Sequence, residues 1–320
     1  MPPKQKSSAN APVTPTSTST VPDSILPRNM FSPEVVREHL NTPDISAKYA
    51  STPQIVQSVE FRRGKSTDIL VLKRNADSEF ILRGVYQIAR NDFYFIPDGC
   101  YDPENPFQSR FQDVKLSCCL TAPQSSDFEF AQEDFPACID NLRSIEKSIK
   151  PNKDNEILSS ITTHLGSPQF KLSHALLEPK TPLEPNDVST TKQIADTETL
   201  PSTSDDETLD SVFAMETWPV APRCKHYLDE LFDSHDICPL PAYDMKGNLI
   251  PPTQYETSLR GATVKVHFTY SHVHIKKSKH HVYTTILRHL QLLRAPNALP
   301  SSPYKRLRVS ASASSFKTRS

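Results

Sequence analysis

Acidic residues stop at Glu256. Residues 257–320 contain no Asp or Glu, yet hold 12 of the 36 Lys/Arg residues and six of the 11 histidines. Residues 1–256 therefore carry the other 24 basic residues against all 37 acidic ones, so the net charge of −1 hides an acidic body with a basic end. Such asymmetry points to a polyanionic partner. Glycine is scarce: there are six, none in GxGxxG or GxxxxGK, which argues against a nucleotide-phosphate cradle. HExxH and GxSxG are missing too. The cysteines (Cys100, Cys118, Cys119, Cys138, Cys224, Cys238) form no CxxC pair and read as reduced thiols. No stretch approaches the roughly 18 apolar residues of a spanning helix, and the first 30 residues hold no apolar run of a secretory leader. The expectation is a soluble intracellular protein, without membrane contact and not secreted.

What is present divides the chain into five stretches. With 36% hydrophobic residues and 29 prolines, part of the chain cannot bury a core. Residues 1–54 read as a disordered tail with one helix signal, in which Ser32 caps, Pro33 opens and EVVREHL follows. Residues 55–165 read as an α+β domain. IVQSVEF, DILVLKR, FILRGVYQIA and DFYFI have strand composition, with turn chemistry at Arg63-Gly64-Lys65 and Asn75-Ala76-Asp77. Ile139, Leu142, Ile145 and Ile149 share a helical face, and Ile157, Leu158, Ile161 and Leu165 resume it after Pro151. Residues 166–210 read as a disordered, acidic Pro/Ser/Thr linker, with an acidic kinase-type site at Ser204-Asp205-Asp206-Glu207.

Residues 211–296 read as a β-rich basic module, and 297–320 as a disordered basic tail. The module opens with an amphipathic helix carrying Cys224, Tyr227, Leu228, Leu231 and Phe232, then a hairpin turn at Lys246-Gly247-Asn248. Ala262, Val264, Val266, Phe268 and Tyr270 then alternate with Thr263, Lys265, His267 and Thr269, a strand with one apolar face. The apolar positions change parity at Val273 and Ile275, which predicts a bulge at Ser271-His272. HVYTTILRHLQLL fits a helix through Val282, Ile286, Leu290 and Leu293, or a strand through Val282, Thr284 and Ile286. The need of the preceding strand for an antiparallel partner favours the strand.

Leu259-Arg260-Gly261, then Val264, Val266 and Phe268, then Tyr283-Thr284-Thr285-Ile286 with Leu290, Leu292 and Leu293 resemble the second half of a single-strand-binding-type oligonucleotide-binding (OB) barrel. The same block resembles families of uncharacterised fungal proteins, a likeness that implies no activity. Binding a single strand needs cations for phosphates and flat side chains for bases. Arg260, Lys265, Lys276, Lys277, Lys279 and Arg288 are candidates for the first role, and His267, Tyr270 and His272 for the second. Lys305, Arg306 and Arg308 form a short basic cluster of nuclear-import type.

Two chemical alternatives are weaker. His267-Phe268-Thr269-Tyr270 resembles half of a two-histidine phosphoesterase site, but no second HxT or HxS exists. His272, His274, His280 and His281 with Cys224 and Cys238 lack the close ligand pairs of a zinc site. The sequence thus points to a non-enzymatic α+β protein with no cofactor, metal or small-molecule substrate, nuclear or otherwise cytoplasmic. Its expected partner is single-stranded DNA or RNA, with an acidic partner protein as the alternative. The acidic linker is expected to compete for the basic module, and protonation of the histidines toward pH 6 to strengthen polyanion binding.

Overall fold

The computed structural model describes residues 31–44, 47–64, 67–106, 108, 110–150, 154–180 and 211–297. Its spine is an antiparallel pair of long strands, β13 (Thr263–Ile275) and β14 (His280–Arg294). The second of these is the segment that fitted either helix or strand, and it is a strand. An isolated pair would leave two unpaired edges and an exposed apolar face. Strands from earlier in the chain resolve this: β5 (Ile81–Ile88), β6 (Lys115–Thr121) and β9 (Ser167–Ala175). β5 pairs with β6, β6 with β9, β9 with β14 in parallel, and β13 with β5 from Thr263↔Gln87 to Phe268↔Leu82. These five strands close a ring.

Shorter strands extend it. β1 (Ala47–Tyr49) runs parallel to the start of β5. β2 (Val59–Arg63), β3 (Asp68–Leu72) and β4 (Asn75–Glu79) form an antiparallel set, joined to β13 through Asp68↔His272 and Ile69↔Ser271. β7 (Glu156–Leu158) and β12 (Ala242–Tyr243) pair in parallel with β14, and β8 (Ile161–His164) pairs with β9. β10 (Leu177–Pro179) and β11 (His235–Ile237) make a separate two-stranded ribbon.

Alternation in these strands delivers Leu82, Tyr86, Leu116, Leu120, Phe170, Leu172, Val264, Val266, Phe268 and Tyr270 to one core. Tyr86 sits edge-on to Phe170 and to Phe268, with centroids 5.1 and 6.2 Å away. Its ring lies across Gly84, where a Cβ would come 2.4 Å from the tyrosine hydroxyl, so this close approach needs glycine. The first helix, α1 (Pro33–Asn41), begins at Ser32, whose side chain accepts from the Val35 amide as its position before Pro33 predicts. A one-turn helix, α2 (Ile55–Ser58), precedes β2. Along α3 (Glu129–Glu146), Phe135, Cys138, Ile139, Leu142 and Ile145 enter the core. α4 (Pro222–Glu230) buries Cys224 and Leu228, and α5 (Tyr255–Leu259) leads into β13.

The α+β class read from the sequence stands, but several local expectations change. The stretch 211–296 is not a separate module: β13 and β14 share the sheet with β5, β6 and β9, because closing the ring needs all five strands. Residues 31–54 carry α1 and β1, and 166–180 carry β9 and β10, so the ordered part reaches into both stretches expected to be disordered. Ile157, Leu158 and Ile161 belong to β7 and β8, and Leu165 is 92% exposed beside the β8–β9 turn. Strand hydrogen bonds override the helical spacing there. DFYFI forms no strand, although Phe93 and Phe95 are buried. IVQSVEF begins as α2, and Asn75 opens β4 with the turn falling at Lys73-Arg74. The parity of β13 does not change at Ser271-His272, since His272 continues the buried row. The register shifts face Thr263/Val264 and His267/Phe268, where the extra residues, Leu293 and Arg288, lie in β14.

A buried carboxylate pins the last turn of α3. Glu146 accepts from the Ser159 hydroxyl (2.5 Å), the Ser160 amide (3.0 Å) and hydroxyl (2.8 Å), and the Tyr270 hydroxyl (3.3 Å). Removing it strands several donors in the core, so Glu146→Ala is expected to cost about 3 kcal/mol in urea unfolding. Tyr270→Phe, which keeps the bonds from Ser159 and Ser160 to Glu146 but loses the Tyr270 hydroxyl contacts with Glu146 and Ser160, is expected to cost about 1 kcal/mol.

Candidate nucleic-acid interface

β13 outruns its pairing with β5 and continues with β14 beyond the ring, to a tip at residues 276–279. Lys279 takes a left-handed conformation (φ 58°) that closes the turn. Lys276, Lys277 and Lys279 are exposed and, with the exposed Arg63 at the end of β2, make no ion pair among the described residues. Beneath them lies a groove of about 400 Å³ lined by Phe61, Arg63, Asp68, His272, His274 and His281, among others. Strand pairing explains the convergence. Asp68 lies opposite His272, and His274 opposite His281, so side chains from β3, β13 and β14 share one face.

The rings make a continuous ladder. His274 stacks on His281 at 4.4 Å, His281 on His272 at 5.1 Å, and His272 tilts against Tyr283 at 4.9 Å and Phe61 at 5.8 Å. A hydrogen-bonded chain runs through them. Asp68 Oδ2 is 2.8 Å from His272 Nδ1, and His272 Nε2 is 2.9 Å from His281 Nδ1. His281 Nε2 and His274 Nε2 lie 3.0 and 3.4 Å from the Asn155 amide nitrogen. Burial, then the neighbouring His274 and His272, push the His281 pKa down.

The nucleic-acid candidates read from the sequence separate into four groups. Lys276, Lys277 and Lys279 sit together at the tip as exposed cations. Arg260 and Arg288 are engaged by carboxylates, Arg260 to Glu256 at 2.7 Å and Arg288 to Glu79 through two 2.7 Å bonds. Tyr270 and His272 do not reach the open face: Tyr270 is fully buried against Ser160 and Glu146, and His272 is 2% exposed. A buried tyrosine cannot stack on a base, so its assignment is corrected to core. His272 supports the groove wall from beneath.

Lys265 and His267 lie elsewhere, half-buried on the outer face of β13. Lys265 is opposite Gln291, and His267 is opposite His289, with ring centroids 5.3 Å apart. His289 stacks in turn on Tyr243 at 4.9 Å. Burial, with His289, Lys265 and Arg83 adding to it, pushes the His267 pKa down to about 4, while Asp44 opposes the shift. Burial and Arg83 also lower the Lys265 pKa. Lys305, Arg306, Arg308 and the acidic stretch 181–210 fall outside the described residues.

Sequence reading missed Phe61, Arg63 and Asp68 as partners of the tip, since they lie far away in the chain and only pairing brings them close. It also missed a second cationic cavity of about 300 Å³, where Lys115 and Lys171 meet Tyr94 beside β6 and β9. Among the described residues no group of three or more His, Cys, Asp or Glu is arranged to hold a metal ion. The histidine nitrogens of the ladder face each other and Asn155 instead. Cys224 points to Asp98 and the Tyr101 carbonyl, and so does not join them.

No protein-family model matches the chain, and no curated protein matches it in sequence. Among solved structures it is similar to one described as the crystal structure of gp2.5, a single-stranded DNA binding protein encoded by bacteriophage T7. That likeness has 11% identity and a TM-score of 0.33, and covers 69% of this chain and 96% of the other.

His267 yields a pH prediction. It takes a proton near pH 4 in the folded chain but near 6.5 when unfolded, so the unfolded state binds more protons between those values. Its contribution leaves stability intact above about pH 6.5 and lowers it as the pH falls to about 4. His267→Gln is expected to remove that share of the slope in urea unfolding across the same range.

Proposed function

We propose that this chain binds single-stranded nucleic acid at the β13–β14 tip, and that it does so without catalysis. The observation that carries the reading is a groove walled by Phe61 and stacked imidazoles with Arg63 and Lys276 in its lining, next to the exposed Lys277 and Lys279 of the same tip, none of the four in an ion pair among the described residues. Cations track a phosphate backbone, and flat rings offer stacking surface to unpaired bases. The one carboxylate lining the groove, Asp68, is occupied by His272. A duplex, with its bases already stacked inward, has no use for such rings.

The ring of strands supports the same reading. Taken in chain order its five strands are β5, β6, β9, β13 and β14, with the third and fifth parallel and the first and fourth antiparallel. Oligonucleotide-binding barrels are five-stranded and use the loop between strands four and five, the loop between one and two, and the face of strands two and three. Here those places are the lysine tip, residues 89–114, and the β6–β9 face with Lys115 and Lys171.

The test uses the full chain and a labelled oligothymidylate of about 20 nucleotides at about 50 mM salt. Binding is expected to weaken as salt rises, and an equal-length duplex to bind less well. Changing Lys276, Lys277 and Lys279 together to Ala is expected to weaken binding at least about tenfold. It should also make the slope of log K against log salt shallower by about 2, at roughly 0.7 per lost phosphate contact. An absence of binding at low salt, or a triple variant indistinguishable from the parent, overturns the proposal.

A further inference from the structure

Hydrogen-bond bookkeeping along the imidazole ladder allows one arrangement when its histidines are neutral. The Asp68 carboxylate can only accept, so His272 Nδ1 carries a hydrogen and His272 Nε2 is a lone pair. That lone pair must accept from His281 Nδ1–H, which leaves His281 Nε2 as an acceptor. Asn155 then donates one amide hydrogen to His281 Nε2 and directs the other toward His274 Nε2. Donation runs one way, from Asn155 through His281 and His272 to Asp68, and every nitrogen in the run is matched.

A further proton cannot enter without reversing part of this chain. If it settles on His281 Nε2, two donors face each other and the Asn155 amide must turn to present its oxygen. If it settles on His272 Nε2, that nitrogen becomes a donor and His281 moves its own hydrogen to Nε2, with the same result. Either way Asn155 stops donating to His274. The exposed His274, stacked 4.4 Å from a ring that is now cationic, loses the amide hydrogen it accepted and is free to leave the stack.

We infer that Asp68, His272, His281 and Asn155 form a proton-operated latch that holds His274 stacked until acidification releases it into the groove. This rests on the nucleic-acid reading for its consequence, since a mobile ring beside Lys276, with a new positive charge on the pair behind it, adds a contact for a phosphate or base. The charged and titratable groups facing the pair are few. Asp68 on β3 favours the charged form, while Arg63 on β2, Lys276 at the tip and His274 on β13 oppose it. Tyr283 on β14 stays neutral, its pKa pushed up to about 12 by burial. Glu156 is taken by His280 at 3.2 Å. The lowered pKa of His281 agrees with a latch that is closed at neutral pH.

The test reads protons and binding separately. Nitrogen-15 spectra of the full chain should show His272 Nε2 and His281 Nδ1 as an acceptor–donor pair at high pH, with the two rings and His274 changing together on acidification. Asp68→Asn removes the charge that welcomes the proton and should move the midpoint down by about one pH unit. Asn155→Asp supplies an acceptor for the reversed chain and should move it up by a similar amount. Oligothymidylate affinity should rise about tenfold across the transition, as expected for one added charge-assisted contact. One midpoint shared by His272 and His281 that moves in opposite directions in the two variants supports the latch, since charge alone would shift each ring without holding the two midpoints together. Independent titration of His272 and His281, or equal shifts in both variants, overturns it. A coupled titration with no oligonucleotide binding at any pH supports the latch and overturns the nucleic-acid reading.

Discussion

The pairing of β13 with β5, from Thr263↔Gln87 to Phe268↔Leu82, is the constraint on which the rest of the structure depends. The two long C-terminal strands bring one apolar face and two edges. Neither can be satisfied by the strands themselves. Closing the sheet onto β5 buries Val264, Val266 and Phe268 against Leu82 and Tyr86, and gives β13 a partner on each side. The return path through β6 and β9 reaches β14 by a single parallel contact at Thr285↔Leu172 and Ile286↔Ser173. Segments from both sides of the acidic stretch thereby become one hydrogen-bonded unit.

The site follows from where that closure ends. β5 covers β13 only as far as Phe268, and β3 takes over at Ser271 and His272. The hairpin beyond is flanked by β3 at its base and by β7 along β14 as far as His280, and the side chains of Lys276, Lys277 and Lys279 at its turn stay solvated. The change of partner also places Asp68 beside His272, and so sets the imidazole ladder where a carboxylate from another strand reaches β13. Glu146 and Tyr270 hold the neighbouring region from inside the core, tying α3 to β7, β8 and β13. A rigid base with a charged, lightly covered tip suits recognition of a polyanion, because cations fixed on a stiff hairpin lose little freedom when they bind.

Local signals were legible in the sequence wherever the physics was local. The Ser32–Pro33 start of α1, the apolar stripe of α3, the alternation of β13 and the turn at Gly247 (φ 87°) are all present in the structure. So was the concentration of cations around residues 276–279. Legibility failed where a long-range partner set the outcome. Ile157, Leu158, Ile161 and Leu165 have helical spacing, but the sheet offered β7 and β8 a larger set of hydrogen bonds through β14 and β9. Tyr270 and His272 looked like binding residues because strand parity alone does not say which face water reaches.

The sequence by itself determined the charge segregation, the strand β13 and the tip, since each depends on neighbours within a few residues. Tertiary structure decided the closed ring, the burial of Tyr270, the carboxylate partners of Arg260 and Arg288, and the union of Phe61, Arg63 and Asp68 with the lysines. Those outcomes turn on which distant strand lies alongside. That choice is made by burying one continuous core and satisfying every strand edge at once, a balance that no local pattern contains.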